Sequence, residues 1–397
     1  MSKKDNLQAI DAVLSQRVEE ILPNKEQLKE LMKKKRIKVY LGVDPTGKKL
    51  HLGHVIPLRK LQEFADLGNE VFLVVGTGTV LAGDPSQRNA TRPKITEREI
   101  KENIKNWKKQ VGNILDFSKV KIKYNGEWLL KLKLKDIINI ASNVSAARLF
   151  QRDMFQKRLE AGNVVWMHEV LYPILQGYDS VFLNVDLEIG GSDQVFNMLV
   201  GRELQQKMNK KEKFVLTCPM ILGTDGKTMS KTSGNCIWID DTPKEKFGKI
   251  MSIPDELIVS YFKTLTNIDS EKIKQYETGI SSQKINPRDV KKDLAFEIVK
   301  TYNSVKEAEK AKEEFEKVFE KKEIPSEVQE VNLSGKINVL DLLVKTNLAS
   351  SKSEAKRLII QKAFKINDRV YDDWKGEVVL ESGMVLKVGK RSFAKIR

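Results

Sequence analysis

Between residues 37 and 75 the hydrophobic pattern changes period twice, and that alternation limits the folds open to the chain more than any other feature. Residues 37–43 are a short β-rich run, Asp44-Pro45-Thr46-Gly47 is a turn, 55–67 places Leu58, Leu61 and Phe64 on one helical face, and 70–75 is β-rich again. Strand, turn, helix and strand in that order open a parallel sheet, whose ligands gather beyond the carboxyl ends of its strands. The turn also carries scarce chemistry. Two of the three histidines, His51 and His54, stand three residues apart, so a helix starting near His51 brings both to one face of its N-terminus. Unpaired N–H groups and the positive end of the helix dipole attract anions there, and Gly53 lets a ligand approach the backbone. A helix start that merely carries two histidines reads the same from His-x-Gly-His alone.

Before this stretch, residues 5–35 read as helical, with Ile10, Val13, Leu14, Val18 and Ile21 at helical spacing and a break at Pro23. After it, Gly83-Asp84-Pro85 sets Asp84 at the same sheet edge, and 97–117 is an amphipathic helix carrying Trp107 and Val111. Residues 129–175 are mostly helical, and 118–178 reads as an insertion between two halves of the sheet. The sheet resumes at 180–189, running into Gly190-Gly191-Ser192-Asp193-Gln194, then a helix over 195–206 and a strand over 214–221. Residues 223–235 form a loop of glycine, serine and lysine that is unsuited to burial. A charged helical domain is expected over 241–322, a linker containing Pro325 over 323–335, and a small separate unit over 336–397, leaving 1–240 as the sheet-bearing domain.

Charge separates the last unit from the rest. The formal net charge is +16, and residues 336–397 hold 14 Lys and Arg against 7 Asp and Glu. Clustered cations of this kind fit a polyanionic partner, whereas the run Lys33-Lys34-Lys35-Arg36 reads as a solvated helix end. No stretch approaches the roughly 20 apolar residues of a membrane span, and the N-terminal residues lack a signal-peptide core, so a cytoplasmic location is expected. Cys218 and Cys236 have neither disulfide nor metal-ligand spacing. His168 reads as a residue that packs or that supports a site residue from behind, and Trp107, Trp128 and Trp166 as core or subunit-contact residues.

His51-Leu-Gly-His54 followed about 175 residues later by Met229-Ser230-Lys231-Thr232 resembles the paired signatures of class I aminoacyl-tRNA synthetases. Tyr40-Leu-Gly-Val-Asp-Pro-Thr46, Gly83-Asp-Pro-Ser86, Tyr172-Pro-Ile-Leu-Gln-Gly-Tyr-Asp179 and Gly190-Gly-Ser-Asp-Gln194 narrow the likeness to the bacterial tyrosyl branch. Residues 336–369 also resemble the small RNA-binding domain that such enzymes carry. The resemblance implies a Rossmann-like α/β catalytic domain with a helical dimerisation insertion, then an α-helical domain and a small α+β RNA-binding domain. The implied activity is formation of tyrosyl-adenylate from L-tyrosine and ATP, then transfer of tyrosine to tRNA(Tyr), without an editing domain.

Residue by residue, the resemblance implies that Tyr40 and Asp179 read the phenol, while Asp84, Tyr172 and Gln176 hold the ammonium group. Gly42, Asp44, Gly53, Gly191, Asp193, Gln194, Met229 and Ser230 would face the nucleotide or adenylate. Thr46, His51, His54 and Lys231 would bind the triphosphate, with Arg88 and Arg92 adding phosphate or tRNA contacts. Lys352, Lys356, Arg357, Lys362 and Lys365 would follow an RNA backbone. Magnesium would arrive with ATP, since no dedicated ligand cluster is present in the sequence, and the enzyme would be a homodimer. One departure stands out: Thr228 occupies the place of the signature's first lysine, with Lys227 one position early. Two other readings remain open here, activation of tryptophan and an RNA-binding protein that keeps the synthetase body without turnover.

Overall fold

The structure, a computed structural model, describes residues 3–86, 95–229, 233–319, 328–389 and 392–397. Spatial grouping divides the chain after Tyr302 into two compact units, 1–302 and 303–397.

The first unit is built on a six-stranded sheet. Its strands are β1 (Glu20–Leu22), β2 (Lys38–Val43), β3 (Glu70–Val75), β4 (Val120–Tyr124), β5 (Leu187–Gly191) and β6 (Phe214–Cys218), in the spatial order β1-β6-β5-β2-β3-β4. All neighbours pair in parallel except β1, which closes one edge antiparallel to β6. Val71–Val75 of β3 and all of β6 are buried, as expected of parallel strands covered on both faces. Because β2 has β3 on one side and β5 on the other, the chain changes direction of travel between β2 and β5. The crevice beyond their carboxyl ends is where an open α/β sheet receives ligands.

Local chemistry fixes the helix between β2 and β3, α1 (Leu52–Asp66). It ends where Gly68 adopts φ +78 and the Asn69 side chain bridges Phe64 O and Ile37 N, at 3.0 and 3.1 Å. Those bonds deliver the chain into β3 in register with β2.

Several expected elements differ. Val18 and Ile21, assigned to a helix by spacing, lie outside one: Ile21 belongs to β1, whose pairing partner is nearly two hundred residues away and invisible to local periodicity. Residues 180–183 continue the helix Met167–Leu183 instead of starting a strand, because their alternation also fits a helix buried along one face. Residues 120–124, placed in the helical insertion, form the edge strand β4. Within the stretch 323–335 read as a linker, Gln329–Val331 is a strand. Helices Pro243–Met251, Ile258–Leu265, Ser270–Ser281 and Pro287–Tyr302 group with the sheet. Arg17 donates to Thr264 O at 3.0 Å, and Arg59 to the Tyr302 hydroxyl at 3.0 Å, tying these helices to the N-terminal segment and to α1.

The second unit has a helix at Val305–Phe319 and a five-stranded sheet. That sheet joins Arg369–Val370, Phe364–Ile366, Val385–Val388, Ser392–Ile396 and Gln329–Val331 in spatial order, with only the last pair parallel. Helices Val339–Lys345 and Lys352–Ile360 close a core of Leu342, Leu343, Ile359, Phe364, Leu386 and Ile396. The expected helix at 351–358 and the strand at 364–366 are both present, with Ser351 capping the former through Glu354 N at 3.2 Å.

Candidate active site at the sheet switch point

Asp44 leaves the carboxyl end of β2, and its position is set from three directions. Thr79 Oγ1 donates to Oδ1 at 2.7 Å and the Tyr172 hydroxyl to Oδ2 at 3.0 Å. Gly76, at the end of β3, makes the approach possible, since a Cβ there would lie 1.9 Å from Asp44 Oδ1 and 2.4 Å from Thr79 Oγ1. The following turn is held by the helix Glu97–Val111. Asn103 donates to Pro45 O at 2.7 Å, Trp107 to Gly47 O at 2.7 Å, and Gln110 to Lys48 O at 2.8 Å while accepting from Leu50 N at 2.8 Å. Periodicity identifies that helix as amphipathic but not its task of shaping the turn.

His51 is the N-cap of α1, extended at φ −100 and ψ 169. Its ring lies 3.9 Å from that of His54, and its N–H donates to His54 Nδ1 at 3.3 Å. Both imidazoles are half-buried, whereas Thr46 is exposed. A backbone bridge joins this helix start to the chain following the glycine-rich loop: Leu52 N donates to Ile237 O and Ile239 N to Leu50 O, each at 2.9 Å. The loop itself begins as a tight hairpin. Asn235 donates to Thr228 O at 3.0 Å, Lys227 O at 3.3 Å and Asp225 Oδ1 at 2.7 Å, and Met229 is buried. Ser230 and Lys231 lie outside the described residues, as do Arg88 and Arg92.

On the β5 side, Gln194 joins two other expected site residues. Its amide donates to Asp84 Oδ2 at 2.9 Å and Asp193 Oδ2 at 3.0 Å, while Asn197 donates to its oxygen at 3.0 Å. Burial raises the Asp193 carboxyl above its ordinary range, opposed by the Gln194 bond. Gly191 faces this group so closely that a Cβ would stand 2.5 Å from Asp193 Oδ1. Gly42 is open by contrast, its nearest neighbour being the Tyr40 ring at 3.8 Å, which leaves room above β2.

Beneath these residues lies a buried polar floor. Tyr40, on β2, shares a 2.9 Å hydrogen bond with Ser180, the residue following Asp179 on the helix Met167–Leu183. Asp179 accepts from Trp128 Nε1 at 2.8 Å and Asn125 Nδ2 at 3.0 Å. Burial nevertheless pushes its carboxyl up to about 8, the two donors lowering it only in part. Gln176 donates to Glu188 Oε1 at 3.0 Å, and Glu188 forms a buried ion pair with Lys213.

Residues far apart in sequence are thus brought together: Tyr40 with Ser180, Asp84 with Gln194, and Asp44 with Tyr172. Tyr172 is hydrogen-bonded to Asp44 and Gln176 to Glu188, while Asp84 accepts from the Gln194 amide and from Ser86 N. Trp128 is a core residue, yet it also orients Asp179. His168 is exposed, outside the core, and its neighbour on the helix is the buried Glu169. Sequence reading missed Gly76, Thr79, Asn125, Ser180, Glu188 and Lys213. Only Gly76 carried a local signal, standing as a glycine immediately after a strand.

A family model described as tRNA synthetases class I (W and Y) matches residues 32–320. The chain belongs to this family. Among its relatives, the tyrosine–tRNA ligase of Thermotoga maritima is 46% identical over 385 residues, 97% of this chain and 96% of that protein. The tyrosine–tRNA ligase of Carboxydothermus hydrogenoformans is 40% identical over 406 aligned positions, covering 99% and 98%. The fold is also that of solved structures. A C-terminally truncated mitochondrial tyrosyl-tRNA synthetase of Aspergillus nidulans superposes with a TM-score of 0.67 at 21% identity, over 80% of this chain and 99% of that one. The Archaeoglobus fulgidus tyrosyl-tRNA synthetase complexed with L-tyrosine gives 0.62 at 22%, over 77% and 99%.

Proposed function

We propose that this chain is a tyrosine–tRNA ligase whose pocket floor is the Tyr40, Asp179 and Ser180 group. The observation carrying the reading is that floor: Tyr40 bonded to Ser180 and Asp179 held by Trp128 and Asn125, both buried, in a chain closely related along its length to tyrosine–tRNA ligases. A phenol hydroxyl both donates and accepts, so it needs an acceptor and a donor side by side. Asp179 and Tyr40 are such a pair. A site built to hydrogen-bond a hydroxyl rejects the analogue lacking it by about 10⁴–10⁵-fold, tyrosyl-tRNA synthetases being the known instance.

Above the floor, Asp84, Tyr172 and Gln176 hold the substrate ammonium. Asp44, Asp193 and Gln194 bind the adenylate beside the open backbone of Gly42, Gly53 and Gly191. Thr46, His51, His54 and Lys231 bind the triphosphate, Met229 and Ser230 carry that lysine, and Arg88 and Arg92 add positive charge. The tyrosine carboxylate attacks the α-phosphorus and pyrophosphate leaves; a ribose hydroxyl at the tRNA terminus then attacks the acyl carbon of the adenylate, and AMP leaves. The protein contributes position and charge stabilisation and forms no covalent bond itself. Among the described residues, no cluster of three or more His, Cys, Asp or Glu is arranged to hold a metal. Magnesium would arrive with ATP and would supply charge neutralisation at the phosphates.

The 303–397 unit is the RNA-binding part. Lys352 pairs with Asp341 at 2.7 Å, Arg357 with Glu354 at 3.6 Å, and Lys356 lies 3.7 Å over the Trp374 ring. Lys362 is exposed beyond the same helix, and Lys365 sits opposite Lys387 across paired strands. Like charges at paired positions cost stability, a cost that a polyanionic partner relieves. The insertion exposes Leu130, Leu134, Ile138, Val164, Trp166 and Met167, apolar surface suited to a second copy of the chain. The protein works as a cytoplasmic homodimer. Charging of tRNA(Tyr) by the purified chain tests the function: attachment of tyrosine, and not of tryptophan or phenylalanine, is expected, and charging with tryptophan would overturn the specificity.

A further inference from the structure

Lys213 and Glu188 are buried charges that none of these roles requires, and their partners define a proton arrangement. Lys213 Nζ is surrounded by three acceptors: the Glu188 carboxylate, Ser180 Oγ at 2.8 Å and Met198 O at 3.1 Å. An ammonium has three protons and no acceptor capacity, so all three are committed and Ser180 Oγ must accept one of them. The Ser180 proton then has two nearby destinations, the Tyr40 oxygen at 2.9 Å or Glu188 Oε2 at 3.4 Å. The shorter contact makes Ser180 the donor to Tyr40. The Tyr40 proton must consequently point away from Ser180.

Glu188 is near enough for its charge to act on the Tyr40 hydroxyl, which burial first and then that charge raise above its ordinary range. Both its oxygens are already engaged, Oε1 by Gln176 at 3.0 Å and Oε2 by Lys213. The packing is specific to this arrangement: a Cβ on Gly201 would lie 2.6 Å from Lys213 Nζ and 2.9 Å from Ser180 Oγ. A buried ion pair often adds nothing to stability over apolar residues of similar volume, so its presence beneath a specificity pocket calls for another role.

We propose that Lys213 is a positioning residue for phenol recognition: through Ser180 it fixes the direction of the Tyr40 hydroxyl, leaving the Tyr40 proton for the phenol oxygen of the substrate. This rests on the assignment of Tyr40 to the phenol site. The test is the ratio of kcat/KM for tyrosine to that for phenylalanine in pyrophosphate exchange. Ser180→Ala removes the link and keeps the ion pair; Lys213→Met combined with Glu188→Met removes the pair without stranding a buried charge. Each should lower the ratio about tenfold, and the triple variant should fall no further, because all cut one chain of hydrogen bonds. A structural role would lower both amino acids together and leave the ratio in place. An unchanged ratio, or additive losses, overturns the proposal if Tyr40→Phe itself loses discrimination. Retained discrimination in Tyr40→Phe overturns the phenol-site assignment as well.

Discussion

Asp179 is the residue at which burial and hydrogen bonding oppose each other most directly. Its carboxyl stands at about 8, against an ordinary 3.8, because desolvation outweighs the donors Trp128 and Asn125. The folded state therefore holds a proton that the unfolded chain releases near pH 4. The associated stabilisation is complete below about pH 4 and is lost as pH rises through about 8. Thermal unfolding followed from pH 4.5 to 8 should show a decline in Tm that Asp179→Asn flattens; an identical slope in the variant would contradict the assignment. Gly76 makes a second residue-scale prediction. A methyl group there overlaps Asp44 and Thr79, so Gly76→Ala should lower the rate of adenylate formation at least about tenfold, read by single-turnover kinetics, whereas an unchanged rate would show that Asp44 can move freely.

At the scale of elements, the decisive feature is the bridge between residues 50–52 and 237–239, which couples the start of α1 to the glycine-rich loop. Asn235 closes that loop's hairpin, so Asn235→Ala should raise the KM for ATP several-fold and leave tyrosine affinity by equilibrium binding unaltered, with an unchanged KM counting against a role in nucleotide binding. How far these elements can be read from sequence depends on the range of the forces that make them. The run from 37 to 75 was legible because each piece has its own period and its own terminator. Strand β1 was not, since three residues become a strand only by pairing with β6. Tyr40 and Asp179 came from motif likeness alone, and nothing local places Ser180 against Tyr40. Glu188 and Lys213 read as ordinary charged residues at a strand and before one; only the fold shows them buried and paired.

For the whole molecule, the division after Tyr302 decides how activation and tRNA charging are separated experimentally. Truncation at 336 would strip the strand Gln329–Val331 of its partner Ser392–Ile396, so a clean cut lies at 302. Residues 1–302 should retain most tyrosine-dependent pyrophosphate exchange and lose most tRNA charging; equal losses in the two assays would show that the second unit serves folding rather than RNA. In the insertion, Leu134 and Met167 are 73% and 65% exposed. Leu134→Asp with Met167→Asp should shift the sedimentation of the protein from dimer to monomer, and an unaltered dimer would place the interface elsewhere.

The central claim is that the buried Tyr40 and Asp179 floor selects tyrosine. Its most direct measurement is amino-acid-dependent exchange of pyrophosphate into ATP, with tyrosine and phenylalanine supplied separately to the wild-type protein and to Tyr40→Phe. Strong preference for tyrosine in the first, falling at least about tenfold in the second, is the predicted result. Equal preference in both proteins would contradict the account and move phenol recognition away from β2.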